Sequence, residues 1–241
     1  MQKFGIDISK WQGDFPLSAS VSQDGVTFAI IKCGGSDNSV YTDKQFENNY
    51  RKCKEAGINV GAYWFSKALT VEEAKRDAEY TYKLLKGKQF DLPIYIDVEN
   101  KTQLGIGKDK LTAVIDAYCS YLENLGYFVG IYSSSSFFKT YMNDDYLKKY
   151  AHWIAAWGTK KPDGAGIWQF GGETNKIRSN KIQGMTVDQD YLYVDYPTVI
   201  KNKKLNGYGV DNTVRDALVK LHEMGYTYDV IQETLNSLKG V

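Results

Sequence analysis

Histidine is almost absent from this 241-residue chain, which holds only His152 and His222. His152 stands just before a strand start and His222 within a C-terminal helical pattern, and there is no Ser/His pairing near the acids described below. There is no G-x-S-x-G elbow and no phosphate-cradling loop; Gly105-Ile106-Gly107 is a lone glycine pair. Cysteine is scarce too. Cys33, Cys53 and Cys119 are odd in number, lack C-x-x-C spacing and sit in apolar runs, which argues against a disulfide framework or a zinc site and for buried free thiols. Charge of either sign is missing in excess: 30 basic and 29 acidic residues leave a net +1. That balance offers no field for nucleic acid or a membrane surface. No stretch approaches the roughly 18 apolar residues of a spanning helix, so no membrane insertion is expected. Met1-Gln2-Lys3-Phe4-Gly5-Ile6-Asp7 runs straight into a strand pattern without a signal peptide, which predicts synthesis in the cytoplasm.

What the chain does have is aromatics and a distinctive acidic strand end. Nineteen Tyr, ten Phe and five Trp exceed what a core alone asks for and suit a cleft that stacks on sugar rings. Leu92-Pro93-Ile94-Tyr95-Ile96-Asp97-Val98-Glu99 begins as a buried strand and ends in two carboxylates. Strand alternation puts Asp97 and Glu99 on one face with Cα atoms roughly 6.5 Å apart. Acids that close perturb each other's proton affinity, as acid/base chemistry requires.

Taken in order, the patterns predict strands at Phe4–Ser9, Phe28–Gly34, Asn59–Ser66, Leu92–Glu99 and Tyr127–Ser134. Helices are expected over Asp43–Gly57, from the capping box Thr70-Val71-Glu72-Glu73 to Leu85, over Lys108–Leu125 and, more polar, over Phe137–Tyr150. Two further strands, Trp153–Gly158 and Gly166–Phe170, lie about seven residues apart, too close for a parallel crossover, so they are expected to be antiparallel. Met185–Tyr193 makes an eighth. The fold class is therefore α/β, a (β/α) barrel with an incomplete outer ring of helices. Catalytic groups in such barrels sit at the carboxyl ends of strands, and Asp7, Asp97, Glu99 and Asp188 are all expected there, converging on one mouth. Tyr63, Phe65, Tyr132, Trp157 and Gln169 are expected to line the same mouth as substrate-binding groups. A centre made only of carboxylates suits glycoside hydrolysis or an oxygen-ligand metal site, and the lack of imidazoles disfavours the metal.

The segments GIDISKWQG, VGAYWFS, PIYIDVE, IWQF and MTVDQDY, in that order, resemble the Chalaropsis-type lysozymes of glycoside hydrolase family 25, peptidoglycan muramidases common as phage endolysins and bacterial autolysins. The resemblance spans about residues 1–200 and implies a flattened (β/α)5(β)3 TIM-like barrel. It implies Glu99 as general acid, Asp97 as nucleophile or electrostatic partner of the substrate's acetamido group, net retention, and Asp7 and Asp188 as orienting acids that raise the acid's pKa. Asp190 shares the strand parity of Asp188; the preceding Val187 assigns the motif position to Asp188. The implied partner is bacterial cell-wall peptidoglycan, cleaved between N-acetylmuramic acid and N-acetylglucosamine, with no cofactor and no metal, after holin-assisted release or lysis. A chitinase-like hydrolase, a metal-dependent wall hydrolase and a non-catalytic wall-binding barrel are the alternatives.

Residues 201–241 are expected to form a small helical appendage, with helices over Thr213–Met224 and from about Tyr228 to Leu238. This segment resembles the three-helix cell-wall-binding repeats attached to some phage lysozymes; otherwise it packs on the barrel or mediates a homodimer.

Overall fold

A computed structural model describes residues 2–37 and 39–209, together with 217, 220, 221, 224 and 226. Of the appendage expected over residues 201–241, residues 201–209 are described, whereas the two expected helices as a whole, the dimerisation expected of them and His222 lie outside the described residues.

Eight strands close on themselves. In chain order seven of these are β1 (Lys3–Ile8), β2 (Phe28–Ser36), β4 (Asn59–Phe65), β5 (Ile94–Asp97), β6 (Val129–Ser134), β7 (Ala151–Ala155) and β8 (Ile167–Gly171), with a short strand β3 (Val40–Thr42) outside the ring on β2. A two-strand ribbon, β9 (Lys181–Ile182) and β10 (Met185–Thr186), precedes the last barrel strand, β11 (Asp188–Leu192). The order β1-β11-β8-β7-β6-β5-β4-β2 returns to β1 through a β1–β2 pairing, so no barrel edge is left open. Barrel pairings from β1 through β8 are parallel, the outer strand β3 is antiparallel to β2, and β11 is antiparallel to both its neighbours.

β7 and β8 are therefore parallel, against the antiparallel expectation. β7 ends three residues earlier than its apolar run suggests and β8 begins one later, which lengthens the connection to residues 156–166. A five-residue strand is only about 17 Å long, and that many linking residues can retrace it without a helix. The expected strand over Met185–Tyr193 is also divided: Met185 and Thr186 pair with β9, and only the stretch from Asp188 enters the barrel.

Helices α1 (Leu17–Asp24), α2 (Phe46–Glu55), α3 (Val71–Leu85) and α4 (Lys108–Asn124) form the outer layer, followed by the short α5 (Ser135–Tyr141) and α6 (Asp144–Leu147). α1 is too polar for its sequence (LSASVSQD) to announce it. The Thr70 hydroxyl caps α3 by accepting from the Glu73 amide. The stretch expected to be one helix over Phe137–Tyr150 splits at Asn143, whose side chain caps the Tyr146 amide.

The lumen is filled, not hollow. Trp153 stands at its centre, with ring centroids 4.3 Å from Tyr132, 5.3 Å from Tyr95 and 5.8 Å from Tyr63. Gly5 and Gly130 make room: a Cβ at either would collide with the ring of Phe28 or Tyr95. The floor is closed by α7 (Tyr196–Asn202) and the turn after it. Tyr196 and Ile200 are buried, and the Asn206 side chain donates to the Leu92 carbonyl at 2.9 Å and accepts from the Phe128 amide at 2.7 Å. Packing against the barrel thus continues to Tyr208, whose hydroxyl donates to Asp91 at 2.6 Å.

Candidate active site

With the floor sealed, the other end of the barrel holds a cleft of about 590 Å³. Asp7, Asp97, Glu99 and Asp188 all line it, together with Tyr63 and Phe65. Asp7 lies near the end of β1 and Asp97 is the last residue of β5. Regular pairing stops there, short of the expected strand end at Glu99. Val98 nevertheless stays pinned to β6, its amide donating to the Tyr132 carbonyl at 3.0 Å and its carbonyl accepting from Ser133 Oγ at 2.5 Å. Alternation therefore carries past the strand, and Glu99 reaches the cleft beside Asp97. Asp97 is buried and Glu99 exposed.

Asp188 arrives differently from expectation. It is the first residue of β11, not near a strand's carboxyl end. It reaches the mouth because β11 runs antiparallel to β1, which pairs Asp188 directly with Asp7. Its carboxyl rests on Gly172, where a Cβ would overlap Asp188 Oδ1 and crowd the Trp157 ring.

Crowding and burial favour the protonated forms. Burial, then the charges of Asp188 and Asp190, push the Asp7 carboxyl well above the usual range, against the Gln169 hydrogen bond. Burial and the adjacent Glu99 do the same to Asp97, and burial raises Glu99; Lys32 opposes both shifts. Asp188 is pushed up to about 6 by burial, Glu99 and Glu173. Such a cluster holds protons to higher pH than isolated carboxyls do, the direction an acid catalyst needs.

The five expected substrate-binding residues divide in two. Tyr63 and Phe65 face the cleft. Tyr132, Trp157 and Gln169 instead form a hydrogen-bonded chain: Gln169 Oε1 accepts from the Tyr132 hydroxyl at 2.9 Å and from Trp157 Nε1 at 3.2 Å, while Gln169 Nε2 donates to Asp7 Oδ2 at 2.8 Å. Gln169 is 2% exposed and Tyr132 is buried, so both act on Asp7 from beneath; Trp157, 41% exposed, also shows a face to solvent.

Sequence reasoning missed two participants, Lys32 and Trp11, and passed over a third, Asp190, in favour of Asp188. Lys32 is the lone charge in the apolar run FAIIKCG, and that anomaly was the available signal. It enters the cleft with its Nζ 4.5 Å from the Phe65 ring centroid and 5.6 Å from that of Tyr63. Trp11, 78% exposed, stands at the rim on a tight turn in which Ser9 and Gln12 cap each other. That turn is tied down by the Lys10 amide, which donates to Asp43 Oδ2 at 3.1 Å. Asp190 lies buried below the cleft, accepting from Trp153 Nε1 at 2.7 Å.

Elsewhere the chemistry is quiet. His152 is buried beside Phe138, with burial lowering its pKa, and Nε2 lies 3.3 Å from the Leu147 carbonyl. The three cysteines are free and buried. Among the described residues, no group of three or more His, Cys, Asp or Glu side chains could hold a metal ion. A second hollow, about 510 Å³ between α3, α4 and α6, contains Asp116. Burial works to raise that carboxyl, but Lys149, Tyr150 and Tyr146 together hold it below the usual range, the signature of an ion-paired surface acid.

Comparison with known proteins agrees with this geometry. The model of the glycosyl hydrolases family 25 matches residues 6–178. The chain is 31% identical over 159 residues to the autolytic lysozyme of Clostridium acetobutylicum, covering 66% of this chain and 46% of that protein. It is 29% identical over 202 residues to Lysozyme M1 of Streptomyces globisporus, covering 75% of this chain and 67% of the relative. Among solved structures, the bacterial lysozyme from Streptomyces coelicolor superposes with a TM-score of 0.69 at 24% identity, covering 86% of this chain and 98% of that one. The modular autolysin LytC from Streptococcus pneumoniae, in complex with a synthetic peptidoglycan ligand, gives 0.67 at 27% identity, covering 80% and 47%. This chain thus spans less than half the length of the clostridial lysozyme and of LytC.

Proposed function

Because the chain belongs to glycosyl hydrolase family 25, we propose that it is a peptidoglycan hydrolase. Specifically, it is an N-acetylmuramidase that cleaves the β-1,4 bond between N-acetylmuramic acid and N-acetylglucosamine. The observation that carries this reading is Glu99: a carboxyl raised by burial yet open to the cleft, beside buried Asp97 and across from the Asp7–Asp188 pair. Two carboxyls with different environments are what acid-catalysed glycoside cleavage asks for.

In this mechanism Glu99 donates its proton to the glycosidic oxygen as the bond breaks. Asp97 supplies negative charge to the oxocarbenium-like centre, as nucleophile or by steadying the acetamido group that attacks, and the outcome is retention. Lys32 favours ionised Asp97, which either role requires. Asp7 and Asp188 orient the neighbouring groups, and the Gln169 chain fixes Asp7. Tyr63, Phe65 and the exposed faces of Trp11 and Trp157 supply flat apolar surface for sugar rings. The relatives named lysozyme or autolysin support the same substrate.

The direct test is release of reducing sugars from purified walls by wild type and Glu99→Gln. Removing a general acid costs about 10²–10⁴-fold. Retained activity in a folded Glu99→Gln protein would contradict the assignment. Residues beyond the floor turn that ends at Tyr208 supply wall attachment in this reading, and removing residues 210–241 should weaken co-sedimentation with walls while soluble fragments are still cleaved. Equal wall binding by the shortened protein would refute that part.

A further inference from the structure

Beneath the four acids of the cleft lies a fifth that the mechanism above leaves unused. Asp190 follows Asp188 by two residues on β11, so both side chains face the lumen. The ladder pairs Asp7 with Asp188 and Gly5 with Asp190, which makes Asp190 the diagonal neighbour of Asp7 on the inner face. Asp190 is 0% exposed. Its Oδ1 accepts from Trp153 Nε1 at 2.7 Å, whereas its buried Oδ2 receives no N–H or hydroxyl hydrogen bond. The Asp190 and Asp7 carboxyls thus share the inner face one ladder step apart, and each acts on the other's proton affinity, raising that of Asp7 and lowering that of Asp190.

Ionised carboxylates only accept hydrogen bonds, so two of them buried as diagonal neighbours repel unless a proton lies between them. Asp7 already has its amide donor in Gln169 Nε2 at 2.8 Å. The oxygen left without a donor is on Asp190, deep in the barrel, where an unpaired charge is costly. We propose that Asp7 and Asp190 share one proton, and that Asp190 is a positioning residue that fixes the Asp7 carboxyl at the floor of the cleft.

The surroundings support the sharing. Burial raises both carboxyls, and the charge of Asp188 acts on both in the same direction. Asp190 faces Trp153 from β7, and Tyr95 from β5 feels its charge. Asp7 faces Gln169 from β8 and acts on Tyr63 of β4 and Tyr132 of β6. Of the two lysines that line the cleft, Lys10 and Lys32, it is Lys32 of β2 that acts on Asp97 and Glu99. One shared proton leaves the pair with a single negative charge and a bond that orients Asp7. Loss of that proton at alkaline pH places two charges side by side and breaks the bond. The pair titrates as a unit, so the proton belongs to neither residue alone.

Asp190→Asn keeps the shape, gives Asp7 an amide donor and leaves the Trp153 N–H an acceptor. Asp190→Leu removes both bonds. Infrared difference spectra of protein isotopically labelled at the aspartate carboxyl carbons read the proton itself. Wild type at neutral pH should show one protonated-carboxyl band more than Asp190→Asn, and equal spectra overturn the proposal. This readout needs no activity, so it stands apart from the muramidase reading, which fails separately if wild type does not digest walls. On walls, Asp190→Asn should hold kcat within about threefold of wild type and extend activity to higher pH, because its hydrogen bonds survive and its donor cannot ionise. Asp190→Leu, folded by circular dichroism, should lose about a hundredfold, the scale of a misplaced catalytic group. A folded Asp190→Asn that falls as far as Asp190→Leu, or one whose pH profile overlays that of wild type, overturns the proposal.

Discussion

Asp7 and Asp188 are direct partners across the β1–β11 ladder, one near the end of its strand and the other opening its own. They meet only because the last strand runs backwards. The mouth is thus assembled from carboxyl ends of parallel strands on one side and the amino end of a reversed strand on the other.

Gly172 is the space in which the Asp188 carboxyl sits. Gly172→Ala should displace Asp188 or the Trp157 ring, lowering kcat/KM by about tenfold to a hundredfold on the scale of small catalytic misplacements. Melting temperature should change little. Full activity in this variant would mean that the position of Asp188 is unimportant.

Lys32 lowers the proton affinity of both Asp97 and Glu99. Lys32→Met removes that influence, so both carboxyls bind protons more tightly. Glu99 then stays protonated to higher pH and Asp97 ionises later, so both limbs of the pH–activity profile should move to higher pH. Limbs that stay put or move to lower pH would exclude the proposed electrostatic role.

The cleft carboxyls should make the fold more stable in mild acid than at neutrality. The Asp188 pKa is about 6 in the folded protein against 3.8 ordinarily, so between those values the native state binds more protons than the unfolded one. Its favourable contribution is present below 3.8 and is lost as pH rises through about 6. Asp7, Asp97 and Asp190 are shifted in the same direction. Asp188→Asn should therefore gain on the order of 1 kcal/mol at pH 7.5, a few degrees in melting temperature, and the gain should shrink towards pH 4. A destabilised amide variant at neutral pH would contradict this.

Asp91 supplies a control at the opposite end of the barrel. It accepts from Tyr208 at 2.6 Å and pairs with Lys201 at 3.0 Å and Lys54 at 3.7 Å. Asp91→Ala should cost about 2–3 kcal/mol of stability by releasing the turn after α7, with kcat of the folded protein unaffected. Thermal denaturation and wall digestion on the same preparation check both halves.

Much of the barrel was legible because its parallel strands are continuous apolar runs and three of its helices carry clear caps or stripes. The β7–β8 pairing was misjudged because run length overstated strand length and shortened the apparent connector. α1 was missed because its polar sequence shows little periodicity. Asp7, Asp97, Glu99 and Asp188 could be located from strand ends, although Asp188 reaches the mouth by reversal of its strand. Tyr132 and Gln169 were expected to touch substrate, but which inner residues rise into the cleft and which sink below it depends on barrel tilt and shear, which alternation cannot supply. Lys32 and Asp190 owe their importance to cross-barrel neighbours distant in sequence.

The central claim is tested most directly by mass spectrometry of purified peptidoglycan digested with the intact protein. The account predicts fragments with N-acetylmuramic acid at the reducing end, and their loss with Glu99→Gln. Fragments ending in N-acetylglucosamine, or cleavage confined to peptide and amide bonds, would contradict it.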